Sequence, residues 1–150
     1  MTLLPRRSLY AIAAAIDVAL HARPVPVSAR ALAERLDLGP RHLEAVLQAL
    51  VRGGILRGVR GPRGGYELAR ERRRITAGDV VRAALTAAVD EAQPPGPESR
   101  LVDDVVAPVV KAAGEAFLRE LDSVTIDDLC RAAEQHAVFG GTLPTTDFTI

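Results

Sequence analysis

The 150-residue chain fits one compact domain, or a small domain with an appended helical segment; 48% of it is hydrophobic, yet it has no Trp, two Tyr and three Phe. Such a core is built from Ala, Leu and Val, which suits close-packed helices, and no apolar run approaches the ~20 residues that a bilayer span needs. The net charge of zero hides a split, since residues 1–82 hold 15 Arg and 7 acidic residues while residues 83–150 hold 4 basic and 12 acidic ones. The basic half can face a polyanion while the acidic half stays away from it. Lys111 is the single lysine, so part of the Arg excess reflects composition, but the asymmetry between halves does not. The first apolar stretch is broken by Asp17 and His21 and lacks a small-residue cleavage site, so it is not read as a signal peptide and the chain is expected in the cytoplasm.

In chain order, Leu9, Ile12, Ala13, Ile16, Ala19 and Leu20 recur at the spacing of one apolar helix face, predicting a helix over 6–22. Pro24 and Pro26 end it. Ser28 is a good N-cap for a second helix with Ala31, Leu32 and Leu36 inward. Asp37-Leu38-Gly39 breaks that helix, and Pro40 suits the first position of a third, which runs to about Arg52 and buries Leu43, Val46, Leu47 and Leu50. Residues 55–60 and 66–69 are strand candidates around Gly61-Pro62-Arg63-Gly64-Gly65, a hairpin with a glycine-rich tip. Thr76 and Asp79 open a helix through about Val89, with Val80, Val81, Ala84, Leu85 and Ala88 inward. Residues 90–98 read as a linker. A long helix over 99–122 carries Leu101, Val105, Val109, Ala112, Ala113, Ala116 and Phe117 as its stripe, with a kink or a restart expected at Pro108. Thr125 and Asp128 cap a last helix to about His136, and the tail 137–150 shows no periodicity and is expected to be mobile.

Helix, short turn, helix and hairpin, in that order, make a winged helix-turn-helix. In that arrangement the second helix of the pair, Pro40 to Arg52, enters the major groove. Its exposed side carries Arg41, His42 and Glu44, with Gln48 a turn on. Arg41 can neutralise a phosphate or fork onto guanine, and Glu44 can accept from the cytosine amino group. On the hairpin, Arg57, Arg60 and Arg63 surround a tip where Gly61, Gly64 and Gly65 let the backbone bend and approach closely. Arginines on a thin ribbon suit the narrow minor groove, where the potential is most negative. Arg70, Arg72, Arg73 and Arg74 suit backbone contacts, although the run 72–74 by itself reads as a solvated basic loop. The Gly-Lys-Ser/Thr ending of a phosphate-binding loop is absent, which argues against nucleotide binding.

At the hairpin, Gly58-Val59-Arg60-Gly61-Pro62-Arg63-Gly64-Gly65-Tyr66 resembles the wing motif of the winged helix-turn-helix transcriptional regulators of the IscR, NsrR and CymR type, departing only at its first position. The stretch from Ser28 to Leu36, the pair Leu43-Glu44, Leu50 to Leu56, Tyr10-Ala11 and Ile75 to Val81 are also similar to that family, over roughly residues 5–135. The resemblance implies a mainly helical fold with a small wing, spanning 1–89, a linker at 90–98 and a helical dimerisation region at 99–136 built on the long helix. It also implies a homodimer acting on double-stranded DNA, with recognition-helix contacts from Arg41, His42 and Glu44 and a minor-groove contact from Arg60; together with the helix and hairpin reading, the expected DNA-binding set is Ser28, Arg41, His42, Glu44, Gln48, Arg57, Arg60, Gly61, Pro62, Arg63, Gly64 and Gly65. Where the family often has Tyr before the Leu-Glu pair, His42 stands here.

Sensing is where the chain departs from the pattern. Cluster-binding members carry three cysteines in and around the loop before the dimerisation helix, whereas residues 90–98 hold neither Cys nor His. No iron–sulfur cluster is therefore expected. The single Cys130 excludes an intrachain disulfide and any multi-cysteine metal site within one chain; it reads as a packed, inert thiol, with an intermolecular disulfide as the alternative. His21, His42 and His136 belong to separate helical regions and are read as surface or packed residues rather than metal ligands. An effector pocket has its natural place between the winged domain and the long helix, with no ligand specified. No spacing of Ser/His/Asp, Cys/His or paired carboxylates argues for an enzyme; Asp103-Asp104 and Asp127-Asp128 are sequence neighbours whose side chains diverge by ~100° on a helix. The leading reading is a dimeric DNA-binding regulator, in the main a repressor. Its alternative is an interaction module that docks on a metabolic enzyme through the acidic half and the Pro-rich loop.

Overall fold

A computed structural model of the chain describes residues 3–89, Gly96 and residues 99–138. The linker expected at 90–98, apart from Gly96, and the tail from 139 onward lie outside the described residues. Helices α1 (Arg6–His21), α2 (Ala29–Leu36) and α3 (Pro40–Arg52) lead into an antiparallel hairpin of β1 (Leu56–Val59) and β2 (Gly65–Leu68). A 3-10 turn (Arg72–Arg74) precedes α4 (Ala77–Val89), and α5 (Ala107–Asp122) and α6 (Ile126–Gln135) follow.

Local chemistry sets these boundaries. The Ser28 hydroxyl accepts from the Ala31 amide at 3.1 Å and starts α2. Asp37 ends that helix in the left-handed region, at φ 51°, and Gly39 and Pro40 begin α3. Thr76 with Asp79, and Thr125 with Asp128, form reciprocal capping boxes at α4 and α6. The hairpin pairs Leu56 with Leu68 and Val59 with Gly65.

The core surrounds α1. Leu32, Leu43, Leu47 and Leu50 of the helix pair, Leu56 of the wing, Val80 of α4, and Ile126 and Cys130 of α6 are all buried in one cluster with it. The face of α1 that enters this cluster most deeply is Ala11, Ala14, Ala15 and Val18, not the larger residues whose spacing suggested a face; Ile12, Ile16, Ala19 and Leu20 are half-buried and Leu9 is exposed. Close packing explains the difference. Helix α1 has neighbours on several sides, with α4 its most extensive, and small side chains permit close backbone approach. Its one buried charge, Asp17, is met by Arg35 of α2 through two hydrogen bonds of 2.8 and 2.7 Å, a bidentate clasp between the two helices.

Two further departures concern the C-terminal half. Helix α6, grouped by sequence with the long helix, packs on α1 and contributes Ile126 and Cys130 to the core of the winged domain. A short backbone pairing near Thr76 and Thr125 holds it there, through Ala77 N–H to Val124 O and Ile126 N–H to Ile75 O, both 2.8 Å. Of the kink or restart expected at Pro108, the restart does not occur. Residues Val102–Val106 widen into a π turn, with the Ala107 amide reaching back to Val102 O, and the helix continues to Asp122. Proline has no amide to donate and its ring crowds the preceding turn, which the wider turn accommodates. Every residue from Ser99 to Ala116 is exposed, so this arm stands away from the domain and is anchored chiefly where α5 packs on α4.

Candidate nucleic-acid interface

Helix α3 turns Leu43, Val46, Leu47 and Leu50 into the core, which leaves Arg41, His42, Glu44 and Gln48 exposed on its other side. Its first turn carries outward amides that favour a phosphate. A shallow groove lined by Arg7, Arg41, Glu44, Gln48 and Arg52 brings the start of α1 beside this face. Arg7 and Arg52 were not among the sequence candidates. The spacing that reveals Arg52 is Glu44, Gln48 and Arg52 at successive fours on one helix side, whereas Arg7 is placed by tertiary packing alone.

On the wing, Arg60, Pro62 and Arg63 are exposed at the tip, and Gly61 adopts φ 123°, which side chains disfavour. Gly64 and Gly65 also have a packing reason to be glycine. Both are half-buried, and a Cβ on Gly64 would collide with the Val59 carbonyl and one on Gly65 with the Val27 carbonyl. Val27 exchanges two hydrogen bonds with Tyr66, at 2.9 and 2.7 Å, so Gly65 is small because the wing is laced to the segment before α2. At these two positions the wing closes on its own chain and leaves no room for a side chain. Ser28, exposed beside that segment, uses its hydroxyl to cap α2.

Ion pairing sorts the arginines. Arg41, Arg60 and Arg63 have no hydrogen-bond or ion-pair partner among the described residues. Arg57 is held by Glu67 across the hairpin at 2.6 Å. Beyond the wing, Arg72 meets Asp127 at 2.6 Å, Arg73 meets the same carboxylate at 3.8 Å, Arg70 meets Asp79 at 3.8 Å and Arg74 meets Glu71 at 4.0 Å. The run 70–74 is thus neither a free backbone-contact strip nor simply a solvated loop. Two carboxylates of the acidic half reach back to the basic half: Asp127 meets Arg72, and Arg82 forks onto Asp122 at 2.6 and 2.7 Å. That hydrogen-bonded pairing lowers the Asp122 carboxyl below its ordinary pKa and raises the Arg82 guanidinium.

The donor set does not suit a thiolate-bound cluster. Cys130 is buried between α6 and α1, with Sγ 4.0 Å from the Ile16 carbonyl, and burial pushes its thiol pKa up. Such a thiol is kept protonated and out of reach, which favours the inert reading over the intermolecular disulfide. Among the described residues no three His, Cys, Asp or Glu side chains gather as a metal site. His42 is exposed on α3, while His21 hydrogen-bonds through Nδ1 to the Asp17 carbonyl at 2.9 Å. Among the described residues no helix is long and apolar enough to cross a membrane.

Residues 4–132 match the model of the Rrf2 family, described as iron-dependent transcriptional regulators. The chain is 33% identical over 134 residues to protein rrf2 of Nitratidesulfovibrio vulgaris, covering 87% of this chain and 88% of that relative. It is 30% identical over 133 residues to the HTH-type transcriptional regulator IscR of Xenorhabdus nematophila, covering 87% and 80%. Among solved structures it is similar to T. potens IscR, with TM-score 0.68, 31% identity and 90% of each chain covered. It is also similar to CymR, the global cysteine regulator of B. subtilis, with TM-score 0.62, 26% identity and coverage of 88% and 98%.

Proposed function

Since the chain belongs to the Rrf2 family of winged helix-turn-helix, DNA-binding transcriptional regulators, which are not enzymes, we propose that it works in the cytoplasm as a homodimeric repressor. Its operator is a pseudo-palindrome whose half-sites lie one helical turn, ~34 Å, apart. The observation that carries the reading is that Arg41 on α3 and Arg60 and Arg63 on the wing tip are exposed and have no acidic partner among the described residues, while the arginines behind them are paired. In this reading α3 lies in the major groove, with Arg41 on guanine or phosphate and Glu44 accepting from cytosine. Arg60 enters the adjoining minor groove.

The second copy is needed by the arm. Leu101, Val102, Val105, Val106, Val109 and Val110 are all exposed along it, and an isolated helix of this length is marginal in water without tertiary packing. A symmetric partner arm covers that stripe and sets two recognition helices on one duplex face. The test is light scattering together with fluorescence anisotropy on a genomic fragment recovered by footprinting. Two chains per fragment, and a monomeric, weakly binding Val105→Asp variant, are expected; a wild-type protein that binds as a single copy overturns the dimer.

A further inference from the structure

A cavity of about 670 Å³ opens between the end of α1, the hairpin and the connection that follows β2. That volume falls within the ~300–1,000 Å³ of ordinary small-molecule sites. Its apolar lining comes from Val18, Ala19, Leu20 and Ala22 at the end of α1 and from Leu68 and Ala69. Its charged lining is Arg23, Arg57, Arg70, Arg72 and Arg73 with Glu67 and Glu71, of which Arg57 is held by Glu67, Arg72 by Asp127 and Arg70 faces Asp79. Arg23 has no hydrogen-bond or ion-pair partner among the described residues, and Arg73 reaches Asp127 only at 3.8 Å. Arginine forks suit carboxylate, sulfonate or phosphate oxygens, and the apolar lining suits a hydrocarbon body beside them.

The cavity is separate from the groove on α3, although Arg57 of the wing, one of the expected DNA-binding residues, lines it. It is lined at the end of α1, whereas the groove on α3 touches the start of that helix; the eleven residues from Arg7 to Val18 put the two about 16 Å apart along α1. No residue of α5 lines it, so it does not occupy the place between winged domain and long helix where the sequence reading looked for an effector. Its walls include Arg57 of β1 and Glu67 of β2, together with the segment that joins the wing to α4.

We propose that this cavity binds a small organic anion with an apolar body, and that occupancy braces the wing against α1. The consequence for the wing rests on the DNA-binding reading; the site itself does not. The experiment is a titration of the full-length protein, without DNA, with 1-anilinonaphthalene-8-sulfonate followed by fluorescence. Saturable binding is expected at one dye per chain. Arg23→Glu, and Ala19→Leu at the apolar wall, each weaken it by about tenfold, while Arg119→Glu on α5 leaves it unchanged. 1-Naphthalenesulfonate displaces the dye and uncharged 1-naphthol at the same concentration does not. Circular dichroism establishes that each variant is folded, and Arg23→Gln replaces the reversal if Arg23→Glu is not. Equal dye affinity in wild-type, Arg23 and Ala19 variants overturns the site, as does equal displacement by the naphthol. Displacement by duplex DNA, with Arg23→Glu weakening DNA binding as much as dye binding, also overturns it by assigning these arginines to the phosphate backbone. Intact dye binding in a protein indifferent to DNA instead overturns the regulator reading and leaves the cavity standing.

Discussion

Arg60 and Arg63 at the wing tip, and Arg70, Arg72, Arg73 and Arg74 just beyond the wing, are the same residue type on neighbouring segments, and the fold uses them in opposite ways. The first two have no acidic partner among the described residues. The others answer carboxylates of the same chain, above all the buried Asp127 at the start of α6. Positive charge on a DNA-binding protein is therefore not one quantity. A guanidinium already facing a carboxylate releases fewer counterions on meeting phosphate than a free one, so pairing separates candidate footprint from framework better than charge density does.

The comparison can be broken most severely at Asp127. Replacing it with Ala removes the buried carboxylate that Arg72, Arg73 and Arg131 share, and a loss of about 2 kcal/mol of stability is expected in chemical denaturation, chiefly from the short charge-assisted bond to half-exposed Arg72. A change below about 0.5 kcal/mol would show that these arginines are solvated after all. Next in size is Arg60→Ala, for which DNA affinity at fixed salt should fall by about 1–3 kcal/mol with no change in Tm; wild-type affinity would remove the wing tip from the interface. Arg73→Ala, exposed and loosely paired, should alter stability and DNA affinity by less than about 0.5 kcal/mol each. The smallest effect is in acid. The Asp122 carboxyl is lowered by its hydrogen bonds from Arg82, so its contribution is present above the ordinary carboxylate value of 3.8 and is lost as pH falls through the lower folded value. Asp122→Asn should flatten that part of the acid unfolding curve, and an unaltered acid limb would mean the pair is not formed in solution.

Much of this was legible in the residues themselves. Pro40 and Arg52 bound α3 as the spacing indicated, both Thr-Asp capping boxes formed, and the hairpin lies within a residue or two of its expected place. Caps and turns are local chemistry, so a single sequence states them. What it did not state depends on partners distant in the chain. Ala11, Ala14 and Ala15 outrank Ile12 and Ile16 in burial because α4 lies against them. Gly65 reads as a flexible tip until Val27 is found beside it. The acidic C-terminal half reads as a separate surface until Asp122 and Asp127 are seen to clasp Arg82 and Arg72. Within the interface, Arg41, His42, Glu44, Arg60 and Arg63 were visible as exposed members of a helix and a ribbon, whereas Arg7 needed the fold to bring it near.

The most direct measurement is the salt dependence of DNA affinity for two triple variants of equal charge change. Arg41→Ala with Arg60→Ala and Arg63→Ala should reduce the slope of log affinity against log salt by about 2 to 3, since each phosphate left unneutralised removes about 0.9 from it. Arg70→Ala with Arg73→Ala and Arg74→Ala should leave that slope within about 0.5 of wild type. Equal reductions in both, or a larger one in the second, would contradict the division between free and paired arginines.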